Sequence, residues 1–286
     1  MFKRIAQSPR MQASLLGPLV RRAAMTSDTL LNHSTEFLVC SQATARPHYA
    51  YCMWVAADLA RRLGITRISA IEFGVAGGNG LAFMAEFAAR LNRDYGVAID
   101  CIGFDTGEGM PEPEGVKDLP YWFKAKQYAM DHAALAERLP DAKLVLGNVR
   151  ETVGSFIEQH DPAPIGVILN DTDYHSSTQD SLALFESAGT HPDKFLPRIP
   201  MYFDDVIGSE LEMYGPHNGQ LAAIAEFNEG SADTKVALNQ NLLPHAHIRH
   251  RYQIYYAHLF GHPRYCEYIG GKDQLAVESK LRLAAN

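Results

Sequence analysis

The 286-residue chain is poor in cysteine, lacks any long apolar run and carries no excess of positive charge. Its four cysteines, Cys40, Cys52, Cys101 and Cys266, lie too far apart for a CxxC pair or a zinc knuckle. That spacing excludes a disulfide framework and points to a reducing, cytoplasmic setting. Even the apolar run from Ile65 to Val75 is broken by Arg67 and Glu72, far short of the roughly twenty residues a membrane helix needs. A soluble protein with no membrane partner is expected. With 26 Lys plus Arg against 33 Asp plus Glu the net charge is −7, the wrong sign for a protein that neutralises phosphates along a nucleic acid. Internal repeats and low-complexity tracts are also missing. What is present is a 47% hydrophobic composition over a length that suits one elaborated domain.

Charge is unevenly spread. Residues 1–25 carry Lys3, Arg4, Arg10, Arg21 and Arg22 with no acid; without those five bases the rest has 21 against 33 acids, a charge of −12. Such a segment suits a transit peptide, a membrane-surface helix or a structural arm. Pro9 and Pro18 interrupt its helical pattern, which favours an arm over 1–45 that packs on its own body or on a second copy in a homo-oligomer. The domain proper is then expected over 46–286.

Within it, helical and strand patterns alternate. A helix is expected over Pro47–Leu63, closed by Gly64, then a strand at Ile68–Phe73, a glycine loop, and a helix from Leu81 to Leu91. Strands follow at Val97–Phe104, Lys143–Leu146, Ile165–Leu169 and Met201–Phe203, with helices at Arg150–His160, Thr178–Ala188 and Gly219–Glu229. Gln253–Phe260 reads as a last, antiparallel strand. This alternation predicts an α/β fold: a Rossmann-like, doubly wound, mostly parallel sheet with helices on both faces. An insert over about 106–140, rich in Gly and Pro and carrying Tyr121-Trp122-Phe123, suits either a lid or a loop that packs on itself.

In such a sheet ligands bind beyond the carboxyl ends of the strands, where glycines admit close backbone approach. The loop reads Glu72-x-Gly74-x-x-x-Gly78-Asn79-Gly80, and the next strand-terminal acid, Asp105, lies 31 residues past Gly74. A nicotinamide fingerprint wants that acid about 20 residues on. The register instead resembles that of class I S-adenosylmethionine-dependent methyltransferases. Three further stretches, Gly103-Phe-Asp-Thr-Gly-Glu-Gly-Met-Pro111, Leu169-Asn-Asp-Thr-Asp-Tyr-His-Ser-Ser-Thr178 and Tyr202-Phe-Asp-Asp205, resemble the macrocin O-methyltransferase family over residues 68–230. The resemblance implies S-adenosylmethionine as cofactor, with Glu72 at its amino acid end, Gly74, Gly78, Asn79 and Gly80 giving it room, and Asp105 on the ribose. For Asp105 an Asx turn opening the insert is the competing role.

The resemblance also implies a magnesium ion held by Asp171, Asp204 and Asp205. Strand neighbours lie about 4.8 Å apart, so acids ending adjacent strands can converge on one hard cation; the alternative is that these aspartates cap turns and helices. Adjacent aspartates point opposite ways along a strand, so a shared ion requires the chain to turn at Asp205. Asp173, or else His175, is the candidate base. Asn148, beside Val149 after the third strand, stands where the family more often has an acid, and either residue could meet the adenine. Thr172 and His175 depart from the family as well. His245, His247, His250, His258 and His262 match no zinc spacing. The expected activity is metal-assisted O-methylation of a sugar or specialised metabolite, with a small-molecule acceptor as partner. Metal-independent N-methylation, a noncatalytic subunit of the same fold, and a nicotinamide oxidoreductase are the alternatives.

Overall fold

Strands covered on both faces need apolar residues at nearly every position. Five segments meet that demand and run parallel: β1 Arg67–Phe73, β2 Ala98–Asp105, β3 Lys143–Leu146, β4 Ile165–Asn170 and β5 Arg198–Phe203. β6 (Thr234–Leu238) and β7 (Ile254–Leu259) complete a seven-stranded sheet ordered β3-β2-β1-β4-β5-β7-β6, in which β7 is antiparallel to both neighbours. The computed structural model describes residues 17–139 and 143–281.

Around the sheet lie α1 (Gly17–Leu31), α2 (Thr35–Cys40), α3 (Pro47–Arg62), α4 (Asn79–Tyr95), α5 (His132–Arg138), α6 (Val149–Thr152), α7 (Phe156–His160), α8 (His175–Leu182), α9 (Gly219–Gly230) and α10 (Gly271–Leu281). No helix among the described residues is long and apolar enough to cross a membrane. The core runs through both faces of the central strands: Ile68, Ala70, Ile71, Phe73, Val167, Leu169, Ile199 and Phe203 are fully buried.

The sheet changes direction between β1 and β4, since β2 and β3 extend one way and β5 the other. That reversal opens a crevice at the carboxyl ends of β1 and β4. The hydrogen-bond ladder carries on past the strands there. Gly74 N donates to Phe104 O, Asp171 N to Phe73 O and Asp204 N to Asn170 O, at 2.9, 2.9 and 3.0 Å. The residues that open the loops are therefore held by the sheet itself.

Several boundaries differ from the sequence expectation. The helix expected over Arg150–His160 is two short pieces, α6 and α7, parted by a turn containing Gly154, a residue that gains little from helical geometry. α8 starts at His175 and tightens into a 3₁₀ turn over Ala183–Ala188. β5 begins at Arg198 and runs through Pro200; pairing with β4 starts only at Met201, so the missing N–H costs no bond on that side. β6, an edge strand with half its positions facing outward, and α10, with no buried residue, have no counterpart in the sequence reading.

Lys3, Arg4 and Arg10 lie outside the described residues. The described part of the basic segment packs on its own chain. Arg90 of α4 donates to His33 O at 2.9 Å and pairs with Asp28 of α1, while Thr35 Oγ1 donates to Asp94 at 2.5 Å. Ala24, Phe37, Leu38 and Ala43 form a small apolar cluster beneath these contacts. Arg90→Ala should therefore destabilise the protein by about 2 kcal/mol, the scale of a lost charge-assisted bond in a mostly buried place. Equilibrium urea unfolding measures this; an unchanged midpoint would show that α1 lies outside the cooperative unit.

Candidate active site

The crevice is a cavity of about 450 Å³, within the usual range for small-molecule sites. Its floor is the loop from β1 to α4. Gly74 has φ +84°, and a Cβ there would stand 1.9 Å from Asp171 O, so only glycine fits between the ends of β1 and β4. At Gly80 a Cβ would lie 1.7 Å from Glu72 Oε1. The missing side chain at 80 is what makes space for the acid at 72.

Glu72 is buried at the end of β1. Its Oε1 accepts the Tyr49 hydroxyl at 2.8 Å, and its Oε2 has no hydrogen-bond partner within normal distance and angle among the described residues. Burial pushes its pKa up to about 7, against the pull of the Tyr49 hydrogen bond and of the Arg46 charge. An orphaned carboxylate oxygen on the wall of a cavity is costly unless a ligand donates to it. An ammonium group fits that requirement.

Asp105 ends β2 and makes the Asx turn weighed for it. Oδ2 accepts Val75 N and Ala76 N at 2.8 and 2.9 Å, and Oδ1 accepts Gly107 N at 2.7 Å in an Asx turn. It thereby ties the glycine loop to the start of the insert while still lining the cavity, and Oδ1 retains a lone pair for a hydroxyl donor. Asn148 and Val149 line the far end; Asn148 Oδ1 accepts Arg150 N at 3.0 Å as the cap of α6, which commits its oxygen and leaves its amide N–H groups to face a ligand. Asn79 lines the wall and accepts from Arg138 at 2.9 Å. Gly78 does not reach the cavity: it sits in the left-handed region with its Cα against Leu135, and Gly77 takes its place on the wall.

Across the cavity, Asp171, Asp204 and Asp205 bring one carboxylate oxygen each within 4.8 Å of one another. β5 stops at Phe203 and the chain bends over Asp204 and Asp205, which supplies the turn that a shared ion requires. Burial, and then repulsion by neighbouring acids, drives Asp171 and Asp205 well above the ordinary carboxylate range; Arg46 partly offsets this at Asp171. Three hard oxygen donors this close together fit a divalent cation such as magnesium. Asp204 also accepts the Tyr202 hydroxyl, whose ring stacks on His48 at 4.4 Å. Asp205 Oδ2 accepts Asp173 N at 3.0 Å, and Gln220 Oε1 accepts Asp205 N at 2.9 Å.

Asp173 stands beside this triad with φ +60° and lines the cavity. Burial, then the charge of Asp171, pushes its pKa up to about 7, with the Asp205 hydrogen bond opposing. His175 points elsewhere. Its Nε2 meets Glu226 at 2.9 Å, Glu226 also pairs with Lys117, and the cluster fastens α8 to α9 behind the cavity. Of the two candidate bases, Asp173 alone faces the space where an acceptor would sit.

The insert packs on itself and also reaches the cavity. Phe123, Met110, Leu119 and Tyr174 form a small core of their own, and the buried Asp118 accepts Ser176 N and Ser176 Oγ at 2.8 Å each. Phe123 also lines the cavity, whereas Tyr121 and Trp122 are exposed at its mouth. Arg46, the one cation lining the cavity among the described residues, escaped the sequence reading because it belongs to no motif; the one signal was that so many converging acids call for a countercharge. Tyr49, Tyr128 and Glu212 were missed for the same reason, and Tyr202, though it opens one of the motifs, was given no role. His245, His247 and His250 lie in turns rather than on a strand, and His250 packs near His48, 6.1 Å between rings.

Similar architectures occur among solved methyltransferases. CalS11, a calicheamicin methyltransferase, matches with a TM-score of 0.50 at 18% identity over 85% of this chain and 91% of its own. This chain has the methyltransferase fold. The O-methyltransferase NovP matches at 0.48 and 13% identity over 75% and 82%, and TomG from Streptomyces achromogenes, an O-methyltransferase involved in tomaymycin synthesis and solved with S-adenosylmethionine, at 0.40 and 12% over 82% and 94%. No family model matches the chain, and no curated protein matches its sequence.

Glu72 generates a stability prediction. Its folded pKa of about 7 lies above the ordinary 4.5, so the ligand-free protein loses stability as pH rises from about 4.5 to 7. Glu72→Gln keeps an acceptor for Tyr49 and removes the charge. At pH 8 the variant should be more stable than the parent by about 3 kcal/mol, with the gap closing toward pH 4.5. Thermal melts across that range would refute the assignment if the two proteins tracked each other.

Proposed function

We propose that this protein is an enzyme that transfers the methyl group of S-adenosylmethionine to a hydroxyl oxygen on a sugar or another specialised small-molecule metabolite. The observation that carries this reading is one cavity holding, on one wall, the orphaned Glu72 Oε2 beside a glycine-lined loop and, on the other, a convergent acid triad next to an unused carboxylate. The methyltransferase fold supports it, as does the natural-product context named for CalS11 and TomG.

Each wall has its own task. Glu72 Oε2 receives the cofactor's ammonium group and Arg46 balances its carboxylate. Asp105 accepts a ribose hydroxyl, and Asn148 with Val149 borders the base. S-adenosylmethionine supplies an already activated methyl group, and a magnesium ion held by Asp171, Asp204 and Asp205 would supply Lewis acidity toward the acceptor oxygen. Asp173 takes the proton that the hydroxyl gives up as the new C–O bond forms. Phe123 and Tyr128 limit water at the reacting oxygen. The chain's main contribution is to hold acceptor and methyl donor in line.

Two measurements test the reading. Calorimetric titration with S-adenosylhomocysteine should show binding, weakened at least about tenfold in Asp105→Ala, which loses three backbone contacts as well as the ribose acceptor; unchanged affinity would sink the cofactor assignment. Transfer from labelled cofactor to a panel of polyols, phenols and amines should stop on chelation and return with magnesium or manganese. Asp173→Asn should slow turnover about a hundredfold or more while leaving cofactor affinity intact. Full activity after exhaustive chelation would move the triad to acceptor binding and bring N-methylation forward.

A further inference from the structure

Seven carboxylates, those of Glu72, Asp105, Asp171, Asp173, Asp204, Asp205 and Glu212, line the cavity against the single guanidinium of Arg46. In the fully ionised limit that bound cations favour, the seven acids leave six uncompensated negative charges. A divalent cation together with the net single positive charge of S-adenosylmethionine offsets three of them. The loaded site therefore remains negative, and a partly enclosed wall of one sign repels a like-charged ligand more strongly than bulk water would.

The mouth adds a second, independent observation. Tyr121 and Trp122 from the insert and Leu211 and Met213 from the loop after β5 line a shallow recess, and all four are exposed, between 39% and 66%. Its two banks are joined by Tyr121, whose hydroxyl donates to Glu212 O at 2.7 Å. Glu212, flanked by Leu211 and Met213, lines the cavity, as Phe123 does from the opposite bank, and its carboxylate accepts Ser209 N. The recess thus adjoins the cavity at Phe123 and Glu212. Two rings and two flexible apolar side chains beside an acidic interior make a seat for an apolar face, with the reacting hydroxyl directed inward.

We infer that the acceptor is an uncharged or cationic hydroxyl compound with a flat apolar face, seated on Tyr121, Trp122, Leu211 and Met213, and that Glu212 at the inner edge selects against anions. This rests on the methyltransferase reading above. Nucleotide-linked sugars and carboxylic acids are disfavoured as acceptors; amino-bearing or neutral aromatic and glycosidic alcohols are favoured.

Three probes that share one phenol ring and differ in charge test this: tyramine, tyrosol and 4-hydroxyphenylacetate. Ligand-observed NMR titrations on the full chain with S-adenosylhomocysteine and magnesium should rank them amine, alcohol, acid, with at least about a tenfold spread that narrows with added salt. Glu212→Gln should compress the spread several-fold. Trp122→Ala, at an exposed position, should weaken all three alike and leave the ranking. An acid that binds as well as the amine, a spread untouched by Glu212→Gln, or no binding of any probe at millimolar concentration overturns the inference. The same titrations without the nucleoside measure the ranking alone, so a protein that keeps the ranking yet rejects S-adenosylhomocysteine fails only the methyltransferase reading.

Discussion

Parallel pairing constrains everything else in this molecule. Because β1, β2, β4 and β5 run the same way and in register, their carboxyl ends arrive together at one edge. The ladder continues for one residue beyond β1, β4 and β5, so Gly74, Asp171 and Asp204 inherit the rigidity of the sheet before the loops begin. A site built this way places its polar groups without depending on loop stiffness. The tightest constraint lies between strands, where the carbonyl of Asp171 occupies the space a side chain at 74 would need.

That arrangement has an electrostatic cost. Burial and mutual repulsion raise Glu72, Asp171, Asp173 and Asp205 together, which no fold would do for stability alone. The ligand-free state is strained in its charge distribution more than in its packing, for the surrounding core of Ile71, Phe73, Phe104 and Leu169 is closed. Relief comes from cations. The same groups that weaken the empty protein are the ones that would gain most when positive ligands enter.

Much of this was legible from sequence. The alternation of strands and helices, the glycine loop and the acids at strand ends are local signals, and from Pro47 to Phe203 the chain keeps their order while shifting several boundaries and splitting the helix expected over Arg150–His160. The convergence of Asp171 with Asp204 and Asp205 was implied by the resemblance and is compatible with the spacing of adjacent strands. What escaped has a common character: it depends on contacts between distant segments. Arg46 and Tyr49 reach Glu72 across the first helix, His175 is drawn away from the cavity by Glu226, 51 residues on, and β6 is too short and too half-exposed to announce itself. The insert could not be decided between lid and packed loop because it divides at adjacent residues, Phe123 inward and Trp122 outward.

Arg46 precedes the first residue of α3 and lies some twenty positions before β1, yet it is the countercharge of a cavity formed by the other end of every central strand. Anyone recombining this protein with a relative thus meets a seam that the sheet does not reveal. A crossover placed in the linker between α3 and β1 would yield a chimera with all its strands and acids in place but with a foreign residue facing them. Its secondary structure would look intact while its binding site carried one more unbalanced charge. The functional unit of this chain begins upstream of its sheet.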